Sequence, residues 1–383
     1  MFLSCYLLAY VLEDSYFLFS NGLVTSEGEK WRHHRKVLTP AFHFAFLKSL
    51  TPIMSKHIEN FKQKLIQLNG EKVDPNSLLG DIFLNIIIDV SLDGQVDVHK
   101  VSEEYQKLNH LFIIAFFGNF LFGSLFKYLP FELAQRSQKH KENLSEILKI
   151  GIQNKKKHHE ELKARGQEPQ KDFISLMLSN NFSDEEIYDE ILTFYFAAHD
   201  TTSSTLSWVL YFLCKYPEYQ KQLRSEIESK SINLEELEEK LPLMKNIIQE
   251  TLRMRPPVVT LGRETKNDCV LSGYSIPKGT VLSLMFINAH FDPNFWENPQ
   301  EFNPERFSTK NEQNQNRHPF CYLPFSAGPR NCVGKRFGMQ AMMTFLFHII
   351  QSFELQGDTQ GVIMDSSSLL KPKYFKMSFI PIQ

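Results

Sequence analysis

The sequence is short of cysteine, of charge imbalance and of long apolar runs, and each shortage removes a class of protein. Its five cysteines (Cys5, Cys214, Cys269, Cys321 and Cys332) are odd in number, scattered, and contain no C-x-x-C pair. Neither a disulfide framework nor a zinc finger is indicated, and a reducing, intracellular compartment fits best. The 42 Lys+Arg against 44 Asp+Glu leave a net charge of −2, which argues against a nucleic-acid partner. With 17 Gly and 18 Pro in 383 residues, the chain is neither collagenous nor low in complexity. The apolar amino terminus, 1–12, is cut off by Glu13 and Asp14, short of the roughly 20 residues that cross a bilayer. It carries no basic n-region and no small-residue cleavage site, so no signal peptide or anchor is read there.

What remains is an ordinary globular balance, 42% hydrophobic and 22% charged, enough for a sizeable core. Helical periodicity dominates the first two thirds. Ser26 stands three before Glu29, Ser183 before Glu186, and Asn233 before Glu236; each pair reads as a capping box. The stretch 111–126, LFIIAFFGNFLFGSLF, is too short to span a bilayer comfortably and is interrupted by Gly118, Asn119 and Gly123, so it reads as a buried or interfacial helix. From about Pro256, short runs such as Thr280 to Leu284, bounded by Gly273, Pro277 and Gly279, predict a small sheet. A long loop over 292–334, rich in Pro, Asn and Gly, precedes an apolar helix over 333–351, and loops of that length are usually functional. Lys155, Lys156 and Lys157 read as a solvated helix face. The fold class is mostly α with small β-sheets: helix-rich over 21–255, a small sheet and loop over 256–334, a terminal helix and strands over 335–383.

The segment Phe325-Ser-Ala-Gly328-Pro-Arg330-Asn-Cys332-Val-Gly334 places a thiol where an apolar helix begins. Unpaired amides and the positive end of the helix dipole are expected to lower its pKa, giving a metal ligand or nucleophile. Gly328 and Gly334 allow close approach of a flat cofactor. A phosphate-binding loop is a rival, but five residues separate the two glycines where four are needed, and Arg336 stands where Ser or Thr should be. A nucleophilic-cysteine enzyme is another, but no histidine partner can be assigned.

F-x-x-G-x-R-x-C-x-G closely resembles the haem-binding loop of the cytochrome P-450 family of haem-thiolate monooxygenases, with every fixed position filled. The resemblance implies that Cys332 is the axial thiolate, whose electron density favours oxygen–oxygen cleavage, and that Phe325, Gly328, Arg330 and Gly334 line the haem. Glu250-Thr-Leu-Arg253 followed by Pro304-Glu305-Arg306-Phe307 matches the family's E-x-x-R and PERF-like order. Glu250, Arg253 and Arg306 then look structural, although the first two alone would be a surface pair worth a few tenths of a kcal/mol.

A helix over 183–215 would run about 50 Å, apolar nearly all round except at His199, Asp200, Thr201 and Thr202. One account of Thr201 is a hydrogen bond to the Ala197 carbonyl that bends the helix, but the buried acid beside it still needs an explanation. Ala197-Ala198-His199-Asp200-Thr201-Thr202 resembles the family's oxygen-activation motif, which makes Asp200 and Thr201 the proton-delivery pair. Ala198 replaces the usual Gly. Ala197 stands where many fatty-acid ω-hydroxylase relatives carry a Glu that bonds haem, so covalent attachment is not expected and the implied cofactor is haem b, iron protoporphyrin IX.

Trp31 and Arg35, four apart on one face, can meet a carboxylate together and resemble the family's W-x-x-x-R, which holds a haem propionate. Arg263 and Arg330 match further propionate contacts, with a plain surface charge the alternative for Arg263. The same resemblance would gather Lys30, Arg32, Lys36, Lys335 and Arg336 into a positive patch suited to an acidic, NADPH-dependent flavoprotein reductase, with random surface charge the alternative.

The resemblance covers nearly the whole chain, and GLVTSEGEKWRHHRKVLTPAFHF looks most like the fatty-acid hydroxylase branch. It implies molecular oxygen, an apolar substrate such as a fatty acid or other lipid, and the cytosolic face of the endoplasmic reticulum membrane. The segment 112–126 would line substrate access or touch a membrane surface, with core packing the alternative. The family's anchor, hinge and first elements are not found before Met1. The expectation is a truncated product or an incomplete gene sequence whose small sheet lacks partner strands, and the alternative function is a degenerate, non-catalytic haem binder.

Overall fold

The computed structural model describes residues 21–92, 94–108, 132–167, 172–311, 316–365 and 369–382. The aromatic segment 112–126 and the apolar amino terminus lie outside the described residues.

The centre is a long helix, α6 (Asp184–Lys215). It starts where local chemistry dictates. Ser183 Oγ accepts from the Glu186 amide at 3.2 Å, while the Ser183 amide donates to Glu186 Oε2 at 2.9 Å, a full capping box. Three acidic residues in its first turn and Lys215 in its last match the helix dipole, and Pro217 ends it and opens α7 (Pro217–Glu228).

Before α6 come α1 (Gly28–Leu38), α2 (Phe44–Gln67), α3 (Pro75–Leu92), α4 (Glu132–Ala164) and α5 (Phe173–Ser179). Helix α3 is apolar and long enough by composition to cross a membrane, yet 67% of it is buried in the fold. It packs along α6 and α2, as an all-round apolar helix of a core does. Gly80 permits that approach: a Cβ there would stand 3.1 Å from His199 Nε2.

The lysine run on α4 is not one solvated face. Lys155 is buried and paired with Asp172 at 2.9 Å, Lys156 is bonded to Asp184, and Lys157 alone of the three is fully exposed. The 3.6-residue period turns its first member inward.

After α7 follow α8 (Leu237–Lys240) and α9 (Pro242–Met254), then β1 (Leu261–Glu264), β2 (Cys269–Leu271), β3 (Tyr274–Ile276), β4 (Val281–Leu284) and α10 (Phe286–His290). The strand after Thr280, β4, pairs antiparallel with β1, Leu261 opposite Leu284, in a sheet of two strands among the described residues. Strands β2 and β3 close through Ser272 and Gly273, both at positive φ, the geometry of a two-residue hairpin turn. Helix α11 (Lys335–Ser352) runs directly into β5 (Phe353–Asp358), which pairs with β8 (Lys376–Pro381), while β6 (Ile363–Asp365) pairs with β7 (Lys371–Lys373). Helix α11 packs on α2, α6 and α7. The result is a mostly helical fold with small antiparallel sheets.

Candidate active site

Behind the cysteine loop lies a buried charge network. Glu250 and Arg253 are both fully buried on α9, not on its surface. Arg253 Nε and Nη2 donate to the two carboxylate oxygens at 2.7 and 2.9 Å, a bidentate pair. Its remaining donors reach the carbonyls of His290 at 2.8 Å, Pro299 at 2.9 Å and Glu301 at 3.3 Å. Glu250 Oε1 also accepts from the Asn303 amide at 2.9 Å and lies 3.3 Å from Arg306 Nε, close enough for charge attraction. Arg306 donates to the carbonyls of Glu297 and Asn298. A pair this deep tolerates desolvation because its hydrogen-bonding capacity is met.

The loop is moored to that network at two points. Tyr322 Oη donates to the Gln249 carbonyl at 2.9 Å. His290, fully buried, lies 3.0 Å by Nδ1 from the Arg253 carbonyl and 2.8 Å by Nε2 from the Leu323 amide. Because an amide can only donate, Nε2 is the acceptor and Nδ1 carries the proton. Burial pushes the His290 pKa down to about 4. Nothing in the sequence distinguished this histidine, whose partners come from two distant segments.

Within the loop, Ser326 and Gly328 take positive φ, and the Cys332 amide donates to the Phe325 carbonyl at 3.0 Å. Cys332 is set deep among protein atoms, yet its side chain keeps accessible surface. The expected lowering of its pKa is not found: burial raises it, outweighing the opposing pull of the Gly334 and Lys335 amides and of Arg35 and Lys335. A desolvated thiolate needs a stronger positive charge than a helix start, and a metal ion supplies one. Gly328, at φ +75, needs glycine for its backbone; Gly334 does not, and a Cβ there would stand 3.9 Å from the Cys332 sulfur.

Three guanidinium groups gather beside the loop. Arg35 donates to the Asn331 carbonyl at 2.7 Å and to Asn331 Oδ1 at 2.6 Å. Arg330 donates to the Ser26 carbonyl at 2.7 Å and stacks on Trp31, 4.1 Å from the ring centroid. Burial lowers the Arg330 pKa against the opposing pull of Glu27, and the nearby charges of Arg263 and Arg35 add to the lowering. Arg263, exposed on β1, donates to the Gly262 carbonyl. The structure thus brings Trp31, Arg35, Arg263, Arg330 and Cys332 to one place.

Helix α1 is held to α6 by a buried imidazole–carboxylate pair that sequence reading did not single out. His34 Nδ1 is 2.7 Å from Glu190 Oε1, with the two side chains 1% and 0% exposed. The first of the expected capping boxes is absent: α1 starts at Gly28 behind Glu27, and Ser26 Oγ finds no partner among the described residues. The chain before it is claimed by α6, since the amides of Asn21 and Leu23 donate to Asp189 and Glu190, each at 3.1 Å.

On α6, every residue from 187 to 213 is buried except Phe196, Ala197, Ala198 and Thr201. The last three lie within about 100° of one another around the helix, so they form its part-accessible side. Thr201 Oγ1 donates to the Ala197 carbonyl at 2.5 Å. Asp200 is met by Lys371 of β7, whose Nζ stands 3.1 Å from Oδ1. Sequence reasoning had no way to see that lysine. These bonds of Asp200 and Thr201 run to β7 and within α6, not to the cysteine loop.

Among the described residues, no three His, Cys, Asp or Glu side chains are grouped to hold a metal ion. Cys332 can therefore serve a metal that brings its other ligands with it, as iron in haem does. The three arginines suit the carboxylates of such a group, and Gly334, where a Cβ would stand 3.9 Å from the Cys332 sulfur, leaves room beside it. The residues present fit a haem.

Known proteins give the same answer. The sequence model of the cytochrome P450 family matches residues 10–379. The chain is 32% identical to cytochrome P450 4V2 of Homo sapiens over 380 residues, covering 92% of this chain and 72% of that protein. It is 34% identical to cytochrome P450 4F6 of Rattus norvegicus, covering 85% and 65%, and 32% identical to cytochrome P450 4A14 of the same organism, covering 91% and 72%. In fold it resembles the haem domain of cytochrome P450DA, with a TM-score of 0.82 at 23% identity over 97% of this chain and 82% of that one. It also resembles the cytochrome P450 CYP102L1, with a TM-score of 0.84 at 21% identity over 97% and 87%. On both sequence and fold, the chain belongs to the cytochrome P450 family of haem-thiolate monooxygenases.

Proposed function

We propose that this protein hydroxylates an apolar substrate, a fatty acid or similar lipid, using haem b held by Cys332 without covalent attachment. Bound haem supplies the redox chemistry that splits dioxygen, one atom entering a C–H bond and the other leaving as water. The convergence of Arg35, Arg263 and Arg330 on the Cys332 loop carries the reading, because a sulfur ligand beside three cations matches an iron macrocycle bearing carboxylates.

Each of the chain's own groups has a task. Trp31, Arg35, Arg263 and Arg330 bind the carboxylates, with Arg35 and Arg330 exchanging their present carbonyl partners. Phe325, Gly328 and Gly334 shape the proximal side. Glu250, Arg253 and Arg306 hold the loop from behind. Ala197 and Ala198 keep the part-accessible stretch of α6 small and apolar, and with no carboxylate at position 197 an ester to haem is not expected. Asp200 takes protons from water and Thr201, held by the Ala197 carbonyl, passes them to the reacting oxygen. Exposed Lys36, Lys335 and Arg336, on two elements joined by the Arg35–Asn331 bonds, offer positive charge to an acidic, NADPH-dependent flavoprotein reductase. By family resemblance the setting is the cytosolic face of the endoplasmic reticulum membrane.

The test is spectral. The reduced protein with carbon monoxide should show the thiolate-type Soret band, and Cys332→Ser should lose it while remaining folded. A panel of fatty acids should shift the ferric spectrum, with hydroxylated product found by mass spectrometry. A Cys332→Ser protein with unchanged absorbance and turnover overturns the reading.

A further inference from the structure

Asp200 is a buried acid on α6, one residue before Thr201, and its charge has to be met. Lys371 meets it at 3.1 Å, with the side chains 25% and 8% exposed for lysine and aspartate. Among the described residues, His199 and Tyr105 also stand near Asp200. His199 Nδ1 stands 3.5 Å away without hydrogen-bond alignment, and burial lowers its pKa against the opposing pull of Asp200 and Asp81. The Tyr105 hydroxyl is pushed far up by burial and by the Asp200 charge.

The fold, not the flexible lysine stem, sets this pairing. The carbonyl of Leu370 accepts from Ser204 Oγ at 2.7 Å and from Trp208 Nε1 at 2.8 Å. The backbone one residue before Lys371 is thereby fixed to α6, one and two turns beyond Asp200. The register of β6 and β7 places Lys371 opposite Asp365, so a second carboxylate shares its side of the hairpin. Asp365 is half-buried. The ammonium thus has one carboxylate inward and one across the strand, and is itself the more exposed member of the inner pair.

We propose that Lys371 is the gate between solvent and Asp200. Paired, it holds the carboxylate fixed; swung across the strand to Asp365, it frees Asp200 to take a proton from water and hand it on, returning to the carboxylate. Lysine keeps its own proton throughout, which makes it a positioning residue. The inference rests on the reading of Asp200 as the proton-delivery acid.

The test uses the haem-loaded protein with a reductase, dodecanoate as probe, and the variants D200N, K371M, K371R and D200N/K371M. Three quantities are read: the ratio of NADPH oxidation rates in H2O and D2O, the share of electrons lost to peroxide, and the melting temperature. K371M should change the isotope ratio and the peroxide share at least twofold, K371R should stay near the wild type, and the double variant should match D200N. K371M should also melt several degrees lower, with the loss recovered in the double variant, where no charge is left unpaired. If D200N departs from the wild type while K371M does not, the gate is overturned and the proton-delivery reading stands. If D200N itself behaves as the wild type, both fall. Should K371M fail to load haem, K371Q and D365N carry the comparison: both should move the isotope ratio, and wild-type ratios in both overturn the gate.

Discussion

The imidazole of His290 joins Arg253 to Leu323: it is bonded to the carbonyl of the first at 3.0 Å and to the amide of the second at 2.8 Å. One fully buried ring therefore couples the charged helix α9 to the start of the cysteine loop, and only its neutral form can accept from that amide.

This coupling gives acid sensitivity a defined sign. The His290 pKa is about 4 in the fold against 6.5 ordinarily, so between these values the unfolded chain binds the extra proton. Its contribution is fully present above pH 6.5 and is lost as pH falls toward 4, on the order of 3 kcal/mol in all. Stability measured by denaturant from pH 7 to 4.5 should fall less steeply in His290→Phe than in the wild type. Equal slopes would show that His290 is not the group responsible.

Removing one partner of the buried pair should be severe. Arg253→Met leaves Glu250 charged at zero exposure and should cost about 3–5 kcal/mol. Arg253→Lys should fail nearly as badly, since a lysine cannot reproduce the bidentate bonds or the three carbonyl contacts. Denaturation midpoints, or loss of soluble haem-loaded protein, would check this; a Lys variant of wild-type stability would refute it.

The arginine cluster predicts how firmly haem is held. Arg35→Ala should speed haem loss to apomyoglobin by about tenfold or more, given about 1.5–3 kcal/mol for a charge-assisted hydrogen bond. Arg330→Ala should do likewise and lose its stacking on Trp31. Unchanged loss rates in both would remove the carboxylate-binding role.

Thr201→Ala separates stability from chemistry. Its hydroxyl bonds only one turn back to the Ala197 carbonyl, so the midpoint should move by less than about 1 kcal/mol. Product formed per NADPH should nonetheless drop several-fold, with peroxide rising. Intact coupling would remove Thr201 from the relay.

Elements governed by neighbours in the chain could be read in advance. The Ser183 box and the whole of α6 were legible because a cap, a charge gradient and a terminating proline act within a few residues of the helix. The Ser26 box was not, because Asp189 and Glu190 on α6 capture the amides of Asn21 and Leu23. Gly22 is wedged so closely against Thr193 that a Cβ would stand 2.2 Å from its hydroxyl oxygen. Local propensity loses where a distant carboxylate offers the backbone a better partner.

By itself the sequence determined the helical class, the thiol at the head of α11, and the residue types for a soft ligand, carboxylate-binding cations and an acid–alcohol pair, since spacing and chemistry reside in the chain. Only the tertiary structure decided which charges are buried and what answers them. Glu250 became a core anion because Arg253, Arg306 and the Asn303 amide surround it. Asp200 gained its lysine from 171 residues away, and burial overrode the helix start in setting the Cys332 pKa. The reason is common to all three: the energy of a charge depends on the medium and partners around it, and these exist only once remote segments have packed.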